Sequence, residues 1–315
     1  MAAAARASAR ARPLAHPNPG VAALLVKDGC VIARGWTQEG GRPHAEAVAL
    51  AGLGDGGAEG ATLYVTLEPC AHQSARGPAC TDLVIAAGPA RVVIGQLDPD
   101  PRTAGEGAER IRRAGIAVTV LDDANARASL SGYFTRAEFS RPHVTLKLAM
   151  SLDGCIAMAD GSSQWITGEA ARAHVHAQRA RHDAILVGGA TWRADKPRLD
   201  VRLDGLEARS PVRVLLSRGV APDGVRVINR PSQIGDLEGV QYLYVEGGAV
   251  AAASFLAEDL VDELHIYRAP ILIGEGRRGL ADIGLTNLAD AHGRWRASEQ
   301  RQLGSDTFSA YLRSR

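Results

Sequence analysis

The chain has 315 residues, enough for two domains of about 150 residues, each able to bury its own core. An apolar share of 46% argues against general disorder. The 36 Lys and Arg against 35 Asp and Glu leave no basic face for duplex nucleic acid, and 4% aromatics leave no platform for stacked bases.

The opening MAAAARASARAR is Arg-rich and acid-free, as transit peptides are. A first helix stopped by Pro13 is the preferred reading, because His16-Pro17-Asn18 follows almost at once. VAALLV (21–26) and CVIARGW (30–36) flank Asp28-Gly29, a hairpin signal. Pro43 then suits the first turn of a helix over HAEAVALAGL. ATLYVTL (61–67) is a strand running into Glu68-Pro69-Cys70, and a loop leads to Cys80 and a helix ended by Gly88. RVVIGQL (91–97) is a strand, 104–115 a helix and 116–121 a strand. The order β-β-α-β-α-β-α-β predicts an α/β sandwich with a largely parallel sheet. Residues 1–123 form this domain, and 124–141 is polar, helical and read as a connector.

The second domain, 142–315, restarts with the strand HVTLKLAM (143–150) and a turn at Asp153-Gly154. A helix over 168–182 follows, then strands at 183–188, 211–217 and 240–248, the last running into Gly247-Gly248. A helix over 249–258 and an extended pair of strands over 261–274 complete an α/β pattern. No run of about 18 apolar residues exists, so no membrane span is expected. Four cysteines (Cys30, Cys70, Cys80, Cys155) are too few for a disulfide scaffold in a chain this long, which favours a metal site and a reducing cytoplasm.

The sharpest constellation is His44-Ala45-Glu46 with Cys70 and Cys80. Zinc accepts imidazole nitrogen and thiolate sulfur, and a catalytic site keeps its fourth position open for water. Attack of that water on an amino-bearing ring carbon needs a proton carrier, and Glu46 is placed for it. Zinc deaminases carry H-x-E with P-C-x-x-C. Here nine residues separate the cysteines, but Cys70 ends a strand and Cys80 opens a helix, where the macrodipole favours a thiolate. A closed structural zinc would need a fourth protein ligand, and His72 is the candidate. The expectation is a zinc-dependent hydrolytic deaminase with His44, Cys70 and Cys80 as ligands.

PNPGVAALLVKDG, HAE, VTLEPCAH and GPAC resemble the deaminase half of the bifunctional riboflavin-biosynthesis deaminase–reductase family. LKLAMSLDG, SQWIT, DAILVGGATWRAD, LYVEGG and LVDELHIYRAP resemble its reductase half, in the same order. The resemblance implies a cytidine-deaminase-like α/β/α sandwich followed by a dihydrofolate-reductase-like α/β domain. It implies Zn2+ and NADPH as cofactors and a pyrimidine ribosyl phosphate as substrate. The ring amino group of 2,5-diamino-6-ribosylamino-4(3H)-pyrimidinone 5′-phosphate is hydrolysed, and the ribosyl group of 5-amino-6-(5-phosphoribosylamino)uracil is then reduced to ribityl. The chain departs from the family pattern in a Cys70–Cys80 loop one residue longer, at Ala22 and at Lys196.

Asn18, held between two prolines, is expected to bind substrate, as is His72. A substrate phosphate calls for Arg forks. The resemblance implies Arg179 and Arg202 for it, with Ser163 and the backbone at Leu199. Lys147, inside a strand, and Glu246 are also expected at the substrate. No G-x-G-x-x-G follows a strand, so a Rossmann domain has no support. Gly247-Gly248 instead opens a helix whose free N–H groups suit a cofactor phosphate, with Gly248 in the site. The resemblance adds Ala149, Trp165, Thr191, Asp195 and Ser217 as cofactor contacts. Ser217-Arg218 ends a strand and offers donors that favour NADPH over NADH. No nucleic-acid or membrane partner is expected; a homo-oligomer is.

Overall fold

The computed structural model describes residues 1–54, 56–72, 76–220 and 222–315. It divides into two compact units, Met1–Ser140 and Arg141–Arg315.

The first unit runs α1 (Ala2–Ser8), β1 (Ala22–Lys27), β2 (Cys30–Trp36), α2 (Ala45–Ala51), β3 (Thr62–Leu67), α3 (Cys80–Ala87), β4 (Arg91–Gln96), α4 (Glu106–Arg113), β5 (Ala117–Val120), α5 (Ala124–Ser129) and α6 (Ser131–Phe139). The opening segment is the expected helix, and Ala4, Ala5 and Ser8 on it are buried. Asp28 and Gly29 both take positive φ, as a two-residue hairpin turn demands, and Lys27 pairs with Cys30 across it. The sheet order is β2-β1-β3-β4-β5. Only β3, β4 and β5 run parallel; β1 is antiparallel to both neighbours, because the tight hairpin reverses the chain. The sheet is therefore mixed rather than largely parallel. Leu25, Leu63, Val65, Ile94 and Ile111 form its core with Val84 from α3. The stretch 124–139, expected as a connector, folds into this unit: Leu130 and Phe134 are buried in the same core.

α2 begins one residue later than Pro43 suggests. His44 is its extended N-cap, with φ −70° and ψ 163°, and Pro43 stands outside the helix. Gly35 of β2 lets α2 approach: a Cβ there would lie 2.3 Å from the Ala45 carbonyl oxygen. That contact seats the start of α2, and so His44 and Glu46, against the sheet.

The second unit runs β6 (His143–Met150), β7 (Cys155–Ala157), α7 (Glu169–Arg179), β8 (Ala184–Gly188), α8 (Gly189–Asp195), β9 (Val212–Leu216), β10 (Arg226–Ile228), β11 (Tyr242–Val245), α9 (Ala249–Ala257), β12 (Glu263–Arg268), β13 (Arg277–Arg278), β14 (Trp295–Leu303) and β15 (Asp306–Arg313). Eight strands form one sheet in the order β10-β9-β8-β11-β6-β12-β15-β14. It is parallel from β10 to β12 and antiparallel beyond. The central strands are covered on both faces, which is why they read as continuous apolar runs. Leu146, Leu186, Leu243 and Phe255 pack on one face; Ile185, Val175, Tyr244, Tyr267 and Phe308 pack on the other. The stretch 261–274 is one strand, not a pair. Pro270 has no N–H for a ladder, and the chain turns there with the Ile271 N–H bonded to the Ala269 carbonyl at 2.9 Å. Among the described residues, no helix is long and apolar enough to cross a membrane.

Candidate active sites

In the first unit, β3 delivers Glu68, Pro69 and Cys70 to the end of the sheet. Glu68 is 3% exposed, and its carboxylate accepts the N–H groups of Asp98, Gly105 and Ala108 at 3.2, 2.9 and 2.9 Å. The Thr81 hydroxyl on α3 reaches the carbonyls of Pro69 and Cys70 at 3.1 and 2.8 Å. The Cys80 N–H donates to Cys70 Sγ at 3.3 Å. Strand end and helix start are thus pinned together, with both cysteines buried.

His44 Nδ1 lies 3.6 Å from Cys70 Sγ and 3.3 Å from Cys80 Sγ. Ordinary zinc–nitrogen and zinc–sulfur lengths in a tetrahedron put such atoms about 3.5 Å apart. The donor set and its spacing fit zinc. Among the described residues, His44, Cys70 and Cys80 make up the one group of His, Cys, Asp or Glu close enough to share an ion. His72 is not part of it: its Nδ1 faces Thr103 Oγ1 at 3.5 Å. Residues 73–75 of the Cys70–Cys80 loop lie outside the described residues. Hydrogen bonding from Cys80, against the opposing effect of burial, brings the Cys70 thiol down to about 4. Glu46, on the first turn of α2, is 3% exposed. Burial pushes its carboxyl up to about 7, with His44 pulling the other way.

Asn18 does not stand alone in a cleft. Its Nδ2 donates to the Gly41 carbonyl at 3.0 Å and lies 3.4 Å from His44 Nε2, the ring nitrogen turned away from the cysteines. Sequence reasoning missed Glu68. The visible signal is a carboxylate directly before Pro69-Cys70, just past the end of a strand that carries no other charge.

In the second unit, period-two alternation puts Tyr242, Tyr244 and Glu246 on one side of β11 and its extension. Glu246 meets Arg179, at the end of α7, through Nε at 2.6 Å and Nη2 at 2.9 Å. Lys147 Nζ on β6 lies 3.6 Å from the same carboxylate. Burial alone would raise the Glu246 pKa; Arg179 and then Lys147 outweigh it and hold the group at about 2. Arg179 also donates from Nη1 to the Asp200 carbonyl at 2.9 Å, so it is fixed in place rather than left as an open fork. Arg202 is a separate case. Its Nε is 3.5 Å from Asp200 Oδ1, and its N–H donates to His176 Nδ1 at 3.2 Å. Leu199 is buried with φ 58°. Sequence reasoning missed Asp200, an acid set between Arg198 and Arg202 and ion-paired with both.

The cofactor candidates divide. Gly248, Thr191 and Ser217 converge beyond the carboxyl ends of β8, β9 and β11. A Cβ on Gly248 would lie 3.2 Å from Thr191 Oγ1, and one on Gly189 would lie 3.2 Å from Ser217 Oγ. These glycines leave a cradle that side chains would fill, consistent with a dinucleotide lying close to the backbone. Ala149 is paired with Tyr267 across β6 and β12. Trp165 is 65% exposed, with the Arg172 guanidinium 4.9 Å from its ring centroid. Among the described residues, no hydrogen bond or ion pair joins Ser163, Trp165 or Asp195 to the other candidates.

Comparison with known proteins gives a consistent picture. Residues 1–96 match the model of the cytidine and deoxycytidylate deaminase zinc-binding region. Residues 142–234 and 233–308 match the RibD C-terminal domain. The Escherichia coli riboflavin biosynthesis protein RibD is 38% identical, over 97% of this chain and 96% of that one. The solved structure of Acinetobacter baumannii RibD superposes with a TM-score of 0.86 at 32% identity, covering 100% of this chain and 99% of its own. A Thermotoga maritima diaminohydroxyphosphoribosylaminopyrimidine deaminase/5-amino-6-(5-phosphoribosylamino)uracil reductase gives 0.87 at 31% identity, covering 99% and 97%.

Proposed function

We infer that this chain, which belongs to the RibD family of riboflavin-biosynthesis proteins, carries two activities on one pyrimidine ribosyl phosphate. The first is hydrolytic deamination of 2,5-diamino-6-ribosylamino-4(3H)-pyrimidinone 5′-phosphate in 1–123. The second is NADPH-dependent reduction of 5-amino-6-(5-phosphoribosylamino)uracil in 142–315, with 124–141 between them.

The observation that carries the reading is the His44, Cys70, Cys80 triangle with a buried Glu46 two residues from its histidine. Zinc held by these three side chains supplies an activated water at neutral pH. Glu46 carries the two protons of the attacking water in turn, the first to the ring nitrogen and the second to the departing amine. Asn18, beside the His44 ring, binds substrate, as does His72 from the loop that follows Cys70. Gly248, Thr191, Ser217, Asp195, Ala149 and Trp165 would hold NADPH, which would supply a hydride to the sugar. Lys147 and Glu246 face the sugar; Arg179, locked on Glu246, holds that carboxylate ionised. Arg202, Ser163 and the Leu199 backbone take the phosphate.

A cytoplasmic site of action belongs to this reading, supported by four free thiols. A homo-oligomer does too, and its mass in solution tests it. The whole is tested by supplying the diaminopyrimidine phosphate with and without NADPH, following ammonia and cofactor oxidation separately. Ammonia without NADPH, and oxidation only after deamination, is the expected result. Oxidation with no prior ammonia release would overturn the order, and neither signal would overturn the function.

A further inference from the structure

The end of β9 carries Ser217-Arg218-Gly219, with no acid to take a ribose 2′-hydroxyl as NAD-binding turns do. Ser217 Oγ accepts the Gly219 N–H at 3.0 Å, which leaves its hydroxyl proton free to donate. A second group stands beside it. Arg193 lies one helical turn after Gly189 on α8, and helical side chains lean toward the N-terminus. Its guanidinium therefore folds back over Gly189: a Cβ on Gly189 would lie 3.2 Å from Arg193 Nη1 and 3.2 Å from Ser217 Oγ. Guanidinium and hydroxyl flank one point, close enough for a single phosphate to touch both.

Arg193 is exposed and forms no ion pair or hydrogen bond among the described residues. Asp195 is two positions along the helix, a spacing at which side chains do not face each other. Most other arginines around the reductase site are committed, Arg179 to Glu246, and Arg198 and Arg202 to Asp200. Among the described residues, Arg193 is an uncommitted fork that points back over the glycine cradle.

We propose that Arg193, with the Ser217 hydroxyl, binds the adenosine 2′-phosphate and sets the preference for NADPH over NADH. The proposal rests on the reductase reading above. A ribose phosphate carries between one and two negative charges at neutral pH. A planar guanidinium matches its oxygens in a way an ammonium does not. NADH offers the same turn only a hydroxyl, for which Arg193 has little use.

The test is equilibrium binding without substrate, read by the fluorescence of NADPH and NADH and by calorimetry with adenosine 2′,5′-bisphosphate. Arg193→Ala is expected to weaken NADPH and the bisphosphate by about 10- to 100-fold, the loss of a charge-assisted contact. NADH affinity should stay within about threefold of wild type on the same scale of effects. Arg193→Lys should recover part of the loss, and Arg218→Ala should cost less than Arg193→Ala. Equal weakening of NADPH and NADH overturns the proposal, as does an unchanged NADPH affinity or an effect carried by Arg218 alone. Wild type that binds both dinucleotides equally also overturns it while leaving the reductase intact. Wild type that binds neither removes the reductase reading and this proposal together.

Discussion

The Arg179 guanidinium meets the Glu246 carboxylate edge to edge, at 2.6 and 2.9 Å, with Lys147 Nζ 3.6 Å from the same group. Two cations and one anion meet where β11 ends beside the middle of β6, and the Glu246 side chain there is only 9% exposed. Whatever removes the negative charge leaves two positive groups facing each other away from water.

That arrangement fixes a pH dependence. Glu246 is held at about 2, against an ordinary value of 4.5. A carboxylate with a depressed folded pKa stabilises the native state above its unfolded pKa. The contribution is lost as pH falls from about 4.5 toward 2 and amounts to about 3 kcal/mol. Denaturant melts of the wild type should show stability falling through this window. In Glu246→Gln the slope should flatten there, and stability at pH 7 should drop by about 3 kcal/mol, because Arg179 loses its buried partner. An unchanged acid limb in the variant would show that other carboxylates carry it.

Glu46→Gln keeps every zinc donor and removes the proton carrier. Ammonia release should fall at least about 10²-fold. Metal content should stay at wild type, and reduction of substrate already deaminated should persist. Loss of both activities together would contradict separate sites.

Cys80→Ala breaks the triangle instead. Metal analysis should find about one zinc per chain in the wild type and a large loss in the variant. A chelator applied to the wild type should abolish ammonia release and leave NADPH oxidation on deaminated substrate unaffected. Zinc retained in Cys80→Ala would mean that another residue completes the site.

Glu68 touches no donor of the triangle, yet its carboxylate collects three backbone N–H groups under Pro69-Cys70. Glu68→Ala strands all three in a buried place, at about 1–3 kcal/mol for each unsatisfied group. The melting temperature should fall, and zinc affinity should weaken by about 10-fold or more as Cys70 loses its support. Glu68→Gln, which keeps one acceptor oxygen, should recover part of both. A variant with normal zinc affinity would confine Glu68 to folding.

Much of this was legible because the chemistry is local in sequence. The Asp28-Gly29 hairpin, the β3–α3 pairing that carries the cysteines and the strand into Gly247-Gly248 are each read from a few adjacent residues. What was not legible depends on partners far along the chain. β14 is WRASEQRQL, polar at nearly every position, and it is an edge strand needing only β15 on one side. β15 alternates, with Phe308 and Ala310 inward, but Ser309 and the small Ala310 itself blur the pattern. The polar look of 124–139 hid Leu130 and Phe134, two core residues at helical spacing. Arg179 looked like an open phosphate fork because Glu246, 67 positions later, could not be seen beside it. Arg193 was invisible for the same reason, since Ser217 reaches it only through the sheet.

The place of β15 has a consequence in time. It lies between β12 and β14, and Phe308 on it packs against Tyr267 of β12 with ring centroids 5.0 Å apart. From the moment β12 emerges from a ribosome until β15 follows it, with 269–305 in between, β12 shows a bare row of backbone N–H and C=O groups, a template for any passing strand. At about 5–20 residues per second the exposure lasts several seconds in every round of synthesis. The strands of the first unit are all made by Val120, long before β12. A translational stall that leaves β12 outside the ribosome and β15 still inside it should therefore produce a nascent chain whose second half is sticky and whose first half is already folded.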